Sequence, residues 1–294
     1  MRSRKLRTLV FTLSIVLLVA APGLTAPVEL DDAELTGGGP GTGSIWAMDN
    51  DDATDLQEGY DQCAAQEDYS FNVDDVTLDG SSDTFDGGPT WLVGMTPFVD
   101  GDDMGDLTGQ TIKAGPETMG PFQVSVTHTA LQDKAVLRSL LTLKNTSNKV
   151  KATTVVFDSA HGTDMGLRGS STEDFAWTKA DRWILISDYS RTATRPYVAY
   201  ALHGPGKPQS KVRNILYRPW DSEVGDGEDC VTVDYRIRVP AGKTRHVAVL
   251  TRVIENDFLV GAARNEARKF NGNQAQFFQG VPAGVKTTIV NWDL

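Results

Sequence analysis

Apolar and polar positions alternate most clearly between residues 136 and 164. Leu137, Leu141 and Leu143 share one face with Ser139 between them, while Val136, Arg138, Leu140, Thr142 and Lys144 take the other. Asn145, Thr146, Ser147 and Asn148 then supply side chains that bond nearby backbone, which predicts a tight reversal. β-Branched residues resume at Thr153, Thr154, Val155 and Val156 and run to a break at His161-Gly162. The pattern predicts a half-buried antiparallel hairpin.

Similar signals recur on both sides of this segment. Short apolar runs at Val73–Leu78 and Trp91–Val99 end in Asp-Gly turns, and Phe122–Leu131 alternates cleanly. Gly162–Ser171 reads as a loop, and Phe175 and Trp177 read as one strand paired with Trp183–Ile186 around Lys179-Ala180-Asp181. Val231–Val239 and His246–Ile254 flank Pro240-Ala241-Gly242 and predict a second hairpin. Helical spacing appears late: Asn256 or Asp257 is placed to cap a run with Phe258, Leu259, Ala262, Ala263, Ala267 and Phe270 along one side. The expected fold is all-β, a large antiparallel two-sheet sandwich with one short helix near the C-terminus.

The ends change the picture of domains. Arg2, Arg4, Lys5 and Arg7 precede an apolar run from Leu9 to Ala21 that is short for a membrane span, so residues 1–26 read as a secretory signal. Residues 27–44 are acidic and glycine-rich and read as a flexible lead. Ile45–Tyr69 reads as irregular structure or a short helix, and residues 45–294 as one β-sandwich domain. The expected location is secreted, periplasmic or cell-surface.

Charge is divided unevenly. Residues 27–112 contain 21 Asp or Glu and no Lys, Arg or His. Without residues 1–26 the chain carries 24 bases against 39 acids, a net charge of −15, which disfavours nucleic acid and anionic membranes as partners. Cys63 and Cys230 have no companions at metal-ligand spacing and, in an exported chain, read as a disulfide.

The order of Leu143-Lys144-Asn145-Thr146-Ser147, Gly162-Thr163-Asp164, Gly169-Ser170-Ser171 and Asp181-Arg182-Trp183 resembles uncharacterised secreted bacterial β-sandwich modules. Those modules are similar to the galactose-mutarotase-like supersandwich class. The resemblance covers roughly residues 70–270. It implies a sandwich in sugar-related company and transfers no catalytic residue.

Candidate chemistry is sparse. The four histidines, His128, His161, His203 and His246, form no HxH or HExxH, and GxSxG, phosphate-loop and GxGxxG patterns are absent. Asp158, His161 and Asp164 cluster at a strand end, where a carboxylate beside an imidazole can make a general base, although the same residues are ordinary turn formers. Asp100, Asp102 and Asp106 offer oxygen ligands for Ca²⁺ in a partial calcium-loop pattern that has Met104 and Ile112 where acids belong. No other cofactor is implied. Trp91, Trp177, Trp183, Trp220 and Trp292 are available to stack on sugar rings, against the commoner use of Trp as core.

The reading that follows is a non-enzymatic exported or cell-surface module, with a glycan or a cell-surface protein as partner. The alternatives are a polysaccharide-active hydrolase or lyase, which needs an acid and a base in one cleft, and a structural or assembly subunit.

Overall fold

The computed structural model describes residues 25–31, 33–37, 44–50, 70–78, 84–85, 87–131, 135–161, 165–174, 176–188, 196–218, 229–255, 259–272 and 274–294. The chain opens with strands β1 (Ala26–Glu29), β2 (Glu34–Gly37), β3 (Ser44–Asn50) and β4 (Phe71–Leu78). Next come β5 (Thr90–Val93), β6 (Thr96–Pro97), β7 (Met104–Thr108), β8 (Thr111–Met119) and β9 (Phe122–Ala130). The long central strands are β10 (Val136–Asn145) and β11 (Lys151–His161), followed by β12 (Met165–Ser170), β13 (Trp183–Asp188) and β14 (Tyr197–Ala201). The last strands are β15 (Val212–Arg218), β16 (Asp229–Val239) and β17 (Thr244–Ile254), and two helices follow, α1 (Val260–Arg268) and the short α2 (Ala283–Lys286).

Among the described residues three antiparallel sheets result. One has nine strands in the order β1-β7-β8-β9-β10-β17-β14-β13-β12, one has five in the order β15-β16-β11-β5-β6, and β2-β3-β4 form the third. The all-β architecture matches the expectation. Leu137, Leu141, Val247, Val249 and Tyr200 of the nine-stranded sheet share one core with Val155, Phe157, Val233 and Tyr235 of the five-stranded sheet and with Trp46, Phe71 and Val73 of the third. The opposite face of the nine-stranded sheet has a core of its own. There Leu140, Ala199, Ala248 and Leu250 pack against Ala263, Ala267, Phe270, Phe277, Phe278 and Trp292 of the C-terminal segment. A strand buried on both faces cannot show simple alternation, which explains Val136 and Leu140 on the polar side of β10.

Both predicted hairpins are crossovers between sheets. β10 pairs with β9 and β17, whereas β11 pairs with β16 and β5. β16 and β17 likewise lie in different sheets despite their short connection. The polar residue that ends β10 does not close a hairpin with β11; it ties the two crossovers together. Nδ2 of Asn145 donates to the carbonyls of Lys149 (2.8 Å), Val239 (2.9 Å) and Pro240 (3.3 Å), and its backbone N–H donates to the Lys243 carbonyl at 3.0 Å.

Four further expectations are corrected. The lead expected to be flexible contributes β1 and β2, because Leu30 and Leu35 are buried in the main core at 0% and 1% exposure. Ser44–Asn50 is a strand, anchored by the buried Trp46 and Met48. Residues 165–170, read as loop, form β12 against β13. The described residues between β12 and β13 carry no strand, because the buried Asp181 carboxylate gathers the N–H groups of Thr172 (3.1 Å) and Thr178 (3.0 Å) into a compact loop. The expected cap residues of α1, Asn256 and Asp257, lie outside the described residues. The residue at that cap is Leu259, which makes no side-chain cap bond and is 83% exposed.

Candidate functional site

On β11 the period of two sends Phe157, Ser159 and His161 to one face and Asp158 and Ala160 to the other. The first set points into the core between the sheets and meets Tyr200 of β14. Ser159 Oγ lies 2.7 Å from the Tyr200 hydroxyl, which lies 2.7 Å from Nε2 of His161. The rings of Phe157 and Phe85 pack beside this chain, at 5.6 Å from Tyr200 and 5.3 Å from His161 respectively. Burial pushes the His161 imidazole down to about 3 and the Tyr200 phenol well above its ordinary value.

Asp158 stands on the other face, where its Oδ1 accepts from the Thr232 hydroxyl across the ladder at 2.9 Å. It is fully buried, and His161 is 5% exposed. The structure therefore separates the carboxylate from the imidazole that the sequence places three residues away. Asp164 lies outside the described residues. Tyr200, bonded to His161, and Ser159, bonded in turn to Tyr200, were not singled out from the sequence. The i, i+2 run Phe157, Ser159, His161 was the available signal for Ser159, whereas nothing local points to Tyr200.

The acidic turn is built around Asn50. Its Nδ2 donates to the Asp100 carbonyl (2.9 Å) and to Oδ1 of Asp103 (3.1 Å), and its Oδ1 accepts from the Asp100 N–H at 2.9 Å. The Asp100 carboxylate accepts from the N–H groups of Gly115 and Asp102, and Asp102 accepts from the Met104 N–H. Burial, with Asp102 beside it, pushes the Asp100 carboxyl up to about 6. Asp106 sits on β7 opposite Lys113. These contacts are those of turn-forming carboxylates. Among the described residues no group of three or more His, Cys, Asp or Glu side chains is arranged to hold a metal ion.

The remaining described candidates are buried or half-buried. His128 is fully buried with Nδ1 3.0 Å from Ser139 Oγ, and burial lowers it to about 3. His246 lies 2.8 Å from the Thr288 hydroxyl and His203 lies 2.9 Å from the Gly204 carbonyl. Trp91, Trp183 and Trp292 are core residues at 0%, 2% and 3% exposure, and Trp177 is half-buried. Trp220 and Cys63 lie outside the described residues, and Cys230 is fully buried at the start of β16.

What the described residues leave open is the outward face of β8, β9 and β10 beyond the C-terminal segment. Thr111, Gln123, Thr127, Thr129 and Thr142 are half-buried there, and Lys113 and Lys144 are exposed. Pairing sets Lys113 opposite Thr127, Thr111 opposite Thr129 and Gln123 opposite Lys144. The Thr111 and Thr129 hydroxyls are 3.1 Å apart. The arrangement is an array of hydroxyl, amide and ammonium groups, with the exposed Asp106 carboxylate of β7 opposite Lys113.

No protein-family model matches the chain, and no curated protein matches it. Among solved structures it is similar to the Slr1438 protein from Synechocystis sp. PCC 6803, at 10% identity and a TM-score of 0.39 over 76% of this chain and 96% of that one. A galactose mutarotase related enzyme from Lactobacillus acidophilus gives 7% identity and a TM-score of 0.39 over 75% of this chain and 97% of that one. The heparan sulfate lyase HepC from Pedobacter heparinus gives 7% identity and 0.38 over 74% of this chain, but only 34% of the lyase. At these scores the likenesses carry no argument about what this chain binds or does. Among the described residues no helix is long and apolar enough to cross a membrane.

Proposed function

We propose that this chain is a non-enzymatic, exported binding module whose ligand is a glycan. One observation carries the first part: the described groups able to act as acid or base at the strand end are sealed in the interior. His161 is bonded to Tyr200 inside the core, and Asp158 is buried on the far face of the same strand. A general base must reach the proton it abstracts directly or through one water.

The ligand class rests on the outward face of β8, β9 and β10, whose hydroxyl, amide and ammonium groups suit the hydroxyls of a saccharide better than an apolar partner. Stacking on tryptophan is not part of the reading, since Trp91, Trp183 and Trp292 are core. Export rests on the basic and apolar character of residues 1–26.

Retention on a panel of insoluble polysaccharides tests the proposal. The protein should be held by at least one glycan, and Thr127→Val combined with Lys113→Ala should weaken that retention without lowering the melting temperature. Retention by none of them, or retention indifferent to this face, would remove the glycan from the reading.

A further inference from the structure

Beneath the C-terminal segment the chain buries more positive than negative charge. Arg138 on β10 is 6% exposed, and its Nη1 donates to the carbonyls of Phe277 at 2.8 Å and Gln279 at 3.2 Å. Among the described residues it pairs with no carboxylate. Carbonyl oxygens engage its Nη1 but leave its charge uncompensated, and an uncompensated buried charge is costly. Burial lowers the guanidinium only to about 10, so it stays charged at neutral pH.

Arg252 on β17 lies on the same face. The register pairs Arg138 with Leu250 and Val136 with Arg252, which makes the two arginines diagonal neighbours on adjacent strands. Such positions are roughly 7 to 8 Å apart, within reach of long side chains. Nη2 of Arg252 pairs with Glu266 of α1, and the two side chains are 14% and 20% exposed. Glu266 is shared, because Lys269 Nζ also binds its carboxylate, at 2.5 Å. Nε and Nη1 of Arg252 are buried without any hydrogen-bond partner. Two cations thus share one carboxylate, Arg138 has none, and two guanidinium donors of Arg252 are orphaned.

We infer that Arg138 and Arg252 form an oxyanion site on the face of β10 and β17 under the C-terminal segment, for a carboxylate, sulfate or phosphate group. Guanidinium suits that class because its planar fork matches two oxygens at once. The strand positions beside the pair carry small side chains, Ala199 opposite Arg252 and Thr129 opposite Arg138. An anion held there would also fasten the C-terminal segment to the sheet, since Glu266 and the Phe277 and Gln279 carbonyls all belong to it. The site stands apart from the glycan reading, because an inorganic anion satisfies it equally.

Melting temperature against sodium sulfate, with sodium chloride at matched ionic strength as reference, tests the site on the full chain. The expected result is a rise over chloride that saturates at millimolar sulfate and is lost in both Arg252→Gln and Arg138→Gln. Sulfate also stabilises proteins through exclusion from their surface, but that effect grows without saturating and ignores both substitutions. A non-saturating rise, or a saturating rise that persists in Arg252→Gln, overturns the inference. If Arg138→Gln fails to fold, Arg252→Gln, compared with the charge-keeping Arg252→Lys, decides alone. Parallel titrations with glucuronate and with glucose identify the source: protection by glucuronate and not glucose assigns the anion to an acidic saccharide, protection by sulfate alone assigns it to an inorganic ion, and either upholds the site.

Discussion

The hydroxyl of Tyr200 stands 2.7 Å from Nε2 of His161, so a side chain of the nine-stranded sheet is hydrogen-bonded to one of the five-stranded sheet across the core. Ser159 completes the chain at 2.7 Å on the same oxygen. Tyr200→Phe keeps the ring that packs on Phe157 and strands two buried polar atoms, each costing about 1 to 3 kcal/mol. Denaturant unfolding should show a loss of about 2 to 4 kcal/mol. An unchanged midpoint would mean the network does not hold the sheets together.

Acid should destabilise this protein steeply. All four histidines are at most 7% exposed and bonded to neutral partners: Ser139, Tyr200, the Gly204 carbonyl and Thr288. Burial lowers His128 and His161 to about 3 and His246 to about 4, and lowers His203 as well. An imidazole depressed in the folded state binds more protons when unfolded. Its contribution is therefore present above about pH 6.5 and is lost as pH falls toward the folded value. For His128 and His161 the loss at pH 5 is about 2 kcal/mol each. Asp100, raised to about 6, acts in the opposite sense and offsets part of this between pH 6 and 4. Stability should hold from pH 7.5 to about 6.5 and fall from there to 4.5, and a flat profile to pH 5 would contradict the neutral, buried histidines.

Asn145→Ala should be among the more damaging polar substitutions. It removes the donors to Lys149, Val239 and Pro240 and the acceptor of the Ser147 N–H at 2.9 Å, at a position that is fully buried. A loss of about 2 to 4 kcal/mol is expected from the buried carbonyls left without a partner. Asn145→Asp should be no better, because a carboxylate has no N–H to offer those carbonyls. Wild-type stability in either variant would detach the two crossovers from this side chain.

Much of the fold could be read from the sequence, and the errors in strand pairing and in the candidate site have one cause. Alternation located β9, β10 and β11 because side-chain direction along a strand is local. Whether two consecutive strands pair or cross between sheets is decided by distant partners. Nothing in residues 145–150 reveals that Asn145 bonds Val239 and Pro240. The same limit applies to the candidate site. Asp158 and His161 are near in sequence, but three residues along a strand means opposite faces, and Tyr200 arrives from another sheet. Leu30 and Leu35 were hidden by acidic and glycine-rich neighbours, yet two buried leucines are enough to dock a short edge strand on an existing core.

Cys230 is expected to be bridged to Cys63. A loop that long contributes about 4 to 5 kcal/mol in the chain-entropy view, less any strain. Thiol labelling of the unfolded, unreduced protein should be negligible and should reach both cysteines after reduction. Labelling of both without reductant would refute the bridge.

Binding without turnover of the ligand is open to a single assay. The most direct measurement incubates the purified protein with a polysaccharide panel and assays reducing ends and unsaturated sugars alongside retention. Retention on a glycan with no product released is expected, and His161→Ala should lower stability because it opens the bond to Tyr200 in the core. Turnover abolished by His161→Ala in a protein that still melts like wild type would contradict it.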